Sequence, residues 1–93
     1  MIDVAGSRVT VRGAMNIGAA AALKEAGEAA LAGGASVVDL AEVSEVDSSA
    51  VAVLLAWTRC ARERNLELSI IGAPQSLRSL AALYGVGELL PLA

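Results

Sequence analysis

Asp47-Ser48-Ser49 stands between two apolar runs, and few folds accommodate that junction. Before it, Ser36 to Leu40 carries Val37-Val38-Asp39-Leu40, an apolar strand signature, and leads into a short acidic connector holding Glu42 and Glu45. After it, Ala50 to Trp57 is apolar without interruption. Asp and Ser are the side chains that satisfy the unpaired N–H groups of a helix start. The stretch therefore predicts a buried strand, a solvated loop and a helix reaching to about Arg64, where Asn65 supplies a left-handed stop.

The rest of the chain fits around that unit. Ser7 to Gly13 alternates, with Arg8, Thr10 and Arg12 on one side and Val9 and Val11 on the other, as in a half-buried strand. Ile2 to Val4 can pair with it through the turn at Ala5-Gly6. A helix is predicted from Asn16 to about Ala32, with Leu23, Ala26, Ala30 and Leu31 inward and Lys24, Glu25 and Glu28 in water. Gly33-Gly34 ends it. Leu66 to Ile71 reads as a second central strand. Pro74 opens a last helix with a stripe of Leu77, Leu80, Ala81 and Tyr84, ended by Gly85, and Val86 to Leu92 is a short apolar tail. Strands alternating with helices imply an α/β fold with a mixed, mostly parallel sheet, right-handed βα crossovers and helices packed on it. One domain over residues 1–93 is expected.

Composition removes several kinds of chemistry. The chain has no histidine, hence neither the commonest general base nor the commonest metal ligand. Net charge is −3, and its Lys and Arg are scattered apart from Arg59, Arg62 and Arg64, which speaks against nucleic acid. Cys60 is the sole cysteine and reads as a small hydrophobe. Glu42, Glu45 and Asp47 are close in sequence, yet without histidine they make a poor metal or acid–base site. Gly85-Val86-Gly87 follows a helix and lacks a lysine, so it reads as a turn and not a phosphate loop. Lys24 is the only lysine and nothing places it near Ser48 or Ser49 as an activating base. No cofactor, metal or enzymatic activity is expected. The start shows no signal-peptide pattern, and no apolar run approaches the roughly 20 residues that cross a bilayer. A cytoplasmic protein is expected.

The plain reading of Asp47-Ser48-Ser49 is a helix cap. Two features ask for more. No Glu completes a capping box at Val51. The first turns of the helix also lack a polar face, and polar residues return only at Thr58 and Arg59. Either another element covers those turns, or they form an apolar docking patch with a hydroxyl at its rim. A 56% hydrophobic chain of this size has apolar surface to spare for a partner or for self-association. Phosphate on a hydroxyl here suits the helix dipole and disrupts apolar docking beside it.

Val38-Asp39-Leu40, the acidic connector and Asp47-Ser48-Ser49-Ala50-Val51-Ala52-Val53-Leu54 resemble the signature of STAS domains, the anti-sigma factor antagonist family. That signature is an apolar strand ending in Asp-Leu, then Asp-Ser-Ser/Ala-Gly leading an apolar helix. Ala50 departs from it, standing where the family has glycine. The resemblance implies a STAS fold and a protein-binding site at Asp47, Ser48, Ser49, Ala50 and Val51. Two branches of the family imply different partners. In the MlaB-type branch the partner is the ATPase subunit of an ABC-type phospholipid transporter that maintains outer-membrane lipid asymmetry. The domain then meets the inner face of the inner membrane only through that complex. In the sigma-regulating branch it is an anti-sigma factor kinase that phosphorylates the serine matching Ser48. The segment Ser76 to Val86 with Leu89-Leu90-Pro91 resembles the ending of MlaB-type proteins, as does Arg8 to Gly13 followed by Met15, which favours the first branch.

Overall fold

The computed structural model describes residues 1–93. Its sheet has the order β1-β2-β3-β4, built from β1 (Ile2–Ala5), β2 (Arg8–Met15), β3 (Val37–Val46) and β4 (Ser69–Ile71). Gly6, at φ +60°, turns β1 back on β2, and the two pair antiparallel. The pairs β2–β3 and β3–β4 are parallel. Helices α1 (Ala20–Ala32) and α2 (Ser48–Glu63) make the parallel connections, α3 (Gln75–Leu83) follows β4, and one sheet face is buried beneath them.

Alternation in the strands decides which face is covered. Val9, Val11, Val38, Leu40 and Ile70 are buried beneath the helices. Their neighbours form an open polar face, where Arg12 bridges Asp3 and Glu42 and Arg8 lies 3.6 Å from Asp39. Paired exposed charges of this kind contribute little stability, about 0–1 kcal/mol each. The Arg12 guanidinium, hydrogen-bonded to Asp3 and close to Glu42, is held above its ordinary pKa.

Five details differ from the sequence-based expectation. The acidic connector is strand: β3 continues to Val46, paired with Met15, and carries an extra residue against β2 between Asp39 and Glu42 and again between Val43 and Glu45. Such bulges let a strand keep pairing while its side chains are re-aimed. Helix α1 begins at Ala20, not Asn16, because the Asn16 side-chain and backbone oxygens both accept from Ala19 N and hold a turn there. On its inner side Gly27, not Ala26, is buried. β4 is a short edge strand, not a central one, and Tyr84 stands 52% exposed beyond the end of α3 instead of completing its inner stripe.

The core centres on Trp57, which is fully buried and donates its indole N–H to the Lys24 carbonyl at 3.2 Å. Its ring lies against Gly27, where a Cβ would sit 2.1 Å from the indole. Glycine inside a helix costs about 1 kcal/mol relative to alanine, and here it makes room for the largest side chain in the protein.

Candidate functional site

The pairing of Met15 with Val46 brings the end of β3 beside the chain that leads into α1. Asp47 follows at once in extended conformation and caps α2. Its Oδ1 accepts from Ser49 N at 2.8 Å, and its Oδ2 accepts from Ile17 N at 3.0 Å. One carboxylate thus fastens the start of α2 and the approach to α1 together.

Desolvation works to raise the Asp47 pKa. It is outweighed by the N–H groups of Ile17, Ser49 and Ala50 and by the Ser49 hydroxyl, so the carboxyl titrates below its ordinary range. A depressed folded-state pKa gives stability that is complete above the unfolded value, about 3.9, and lost as pH falls through the folded value. Asp47→Asn is expected to flatten that acid limb. Urea midpoints at pH 7 and pH 3 test this: an unchanged pH dependence in the variant removes Asp47 from the account.

The remaining junction residues separate into two groups. Ser48, the first residue of α2, is exposed, and Ser49 is half-buried. Ala50 and Val51 are 0% and 4% exposed and belong to the core of the isolated chain. The expected apolar patch on α2 is likewise mostly covered: Val53, Leu54, Ala56 and Trp57 are buried, with α1 on one flank and α3 on the other. The three acidic side chains do not converge: Glu42 pairs with Arg12, Glu45 accepts from Asn16 Nδ2, and Asp47 caps α2.

What α1 leaves open is a groove of about 410 Å³ between itself and α2. Ile17, Ala20 and Ala21 form one wall and Ala52, Val53 and Ala56 the other, with Ser49 at the α2 start. Ile17 is 78% exposed at its mouth. In the sequence the α2 wall shows as Ala52 and Ala56 at i, i+4 spacing, whereas the α1 alanines, Ala20 and Ala21, are adjacent, and nothing marked the two walls as facing each other.

The whole assembly, from β1 to the tail, matches a known family: the one described as Mlab, STAS domain, aligns over residues 2–91. The chain belongs to the STAS domain family. Among solved structures, the STAS domain is similar to the anti-sigma factor antagonist SpoIIAA in its unphosphorylated form. The TM-score is 0.67 at 15% identity, covering 89% of this chain and 81% of that one. That likeness establishes the fold. No curated protein sequence matches this STAS domain. None of its helices is long and apolar enough to cross a membrane.

Proposed function

We propose that this STAS domain is a non-enzymatic accessory subunit that docks on the ATPase of an ABC-type phospholipid transporter and supports its assembly and activity. The observation that carries the reading is the match of residues 2–91 to the MlaB-described family. The site agrees with it: Ser48 is exposed at the start of α2, beside an apolar groove. The Asp47 carboxylate is committed to two backbone N–H groups, so the role assigned to Ser48 is contact and not nucleophilic attack.

Ser48→Trp and Ser48→Glu are expected to abolish co-purification with the ATPase subunit of such a transporter. The fold should survive both, since the site is exposed and a carboxylate at a helix N-terminus is favourable by about 0.3–1 kcal/mol. Capture of the ATPase by either variant at wild-type yield, with unchanged ATPase activity, sinks the proposal.

A second reading makes the chain an anti-sigma factor antagonist switched by phosphorylation of Ser48. It is favoured by the exposed hydroxyl and by the likeness to SpoIIAA. Intact mass after incubation with an anti-sigma factor kinase separates the two. A gain of one phosphate at Ser48 supports the switch, and an unmodified chain argues for the transporter subunit.

A further inference from the structure

Four of the seven Lys and Arg side chains have partners: Arg8, Arg12 and Lys24 sit in ion pairs, and Arg78 donates to the Ala93 carbonyl. The other three, Arg59, Arg62 and Arg64, are all exposed near the end of α2 and form no ion pair. In an acidic chain the unneutralised positive charge is therefore gathered in one place.

That place adjoins the apolar groove. A second, polar cleft of about 370 Å³ continues it along the same two helices, and Lys24, Ala56 and Arg59 line both. Arg64 lies farther along, with Glu28 and Glu63 on the cleft walls. The channel between α1 and α2 is thus apolar at the Ser48 end and holds the unpaired Arg59 and Arg64 at the other. Its small alanine walls let a second helix approach closely.

We propose that this channel seats one helix of the partner, apolar along one face and carrying carboxylates at the end that meets the unpaired Arg59 and Arg64. The inference rests on the docking reading above and adds the chemistry of the bound segment. Helix-in-groove recognition supplies the geometry: apolar anchors at i, i+3, i+4 and i+7 lie on the floor, and charge sets direction. An anionic bilayer is a poorer fit, because its surface would meet Glu28 and Glu63 together with the arginines. A single helix can place its acids between them.

The test uses two probes with the full chain. The first is a synthetic helical peptide of about 18 residues, long enough to hold helix, with an Ala/Leu face and glutamates at one end. Its counterpart carries lysines instead. The acidic peptide is expected to shift the amide resonances of Ile17, Ala21 and Ala52. Arg59→Glu should weaken it at least tenfold, and Ala52→Trp, at an exposed position, should block it while leaving the thermal melt unchanged. Equal binding of the two peptides, or shifts confined to residues outside the channel, overturns the inference. So does binding of phosphatidylglycerol vesicles through the same residues in place of the peptide. The second probe is the transporter ATPase subunit. If Ala52→Trp and Arg59→Glu still capture it, the helix-seating inference fails and the docking reading stands. If the peptide occupies the channel but the wild-type chain captures no ATPase, the docking reading fails and the channel belongs to another acid-ended helix.

Discussion

Gly27→Ala is expected to destabilise the fold by about 2–3 kcal/mol, although alanine is the better helix former by about 1 kcal/mol. The added methyl would stand 2.1 Å from Trp57 Cε2 and 2.2 Å from Nε1. Relief requires the ring to move, and the ring has no exposed side to move towards. Movement would also break the indole bond to the Lys24 carbonyl. In a domain of this size that cost lowers the thermal midpoint by roughly 10–20 °C. Trp57→Ala should cost about 3–5 kcal/mol through the cavity it leaves. Because the two residues occupy one space, the Gly27→Ala/Trp57→Ala double variant should cost less than the sum of its parts. Urea titration of the four proteins reads this directly. Strict additivity, or a Gly27→Ala variant as stable as wild type, would refute the packing argument.

Gly72→Ala should be comparably damaging, at about 3 kcal/mol from backbone strain and overpacking together. Gly72 has φ +68°, a left-handed conformation costing a residue with a Cβ about 1–2 kcal/mol. Its Cβ would also lie 2.9 Å from Ala41 N and 3.1 Å from Asp39 Oδ1. Those atoms are already hydrogen-bonded to each other at 2.9 Å, at the first bulge of β3, so they have little freedom to give way. Gly34 provides the control. It too has positive φ, at +100°, but nothing lies within 4 Å of its Cβ position. Gly34→Ala therefore reads the conformational cost alone, and Gly72→Ala must exceed it. Equal losses in the two variants would show that the approach to Ala41 has no energetic weight.

The order of elements was legible because each boundary has a local chemical cause. Asp47 caps α2, Asn65 at φ +56° stops it, and Gly85 at φ +70° ends α3. What was not legible depends on partners distant in sequence. The connector from Ala41 to Val46 is polar enough to read as loop, yet β2 pairs with it through to Met15. Ala26 and Gly27 are indistinguishable by hydrophobic periodicity, and only Trp57 decides between them. The resemblance placed Ala50 and Val51 among the contact residues, and the helix turns their side chains inward. Ile17 stands outside every apolar pattern read from the sequence, and in the structure it lies at the mouth of the groove.

The short β4 strand bears on how copies of the chain could meet. In a parallel strand the N–H and C=O of one residue point to the same side, so within β4 only Ile70 aims both groups away from β3. Both are taken: Ile70 N donates to the Pro91 carbonyl, and Ala93 N donates to the Ile70 carbonyl, each at 2.9 Å. At the opposite margin β1 offers four residues and carries Asp3, a charge of the kind that guards sheet edges. An incoming strand therefore finds no long, bare template on either side. Fibre-like stacking through the sheet edges is disfavoured by construction, and association is left to the helical face and the open polar face of the sheet.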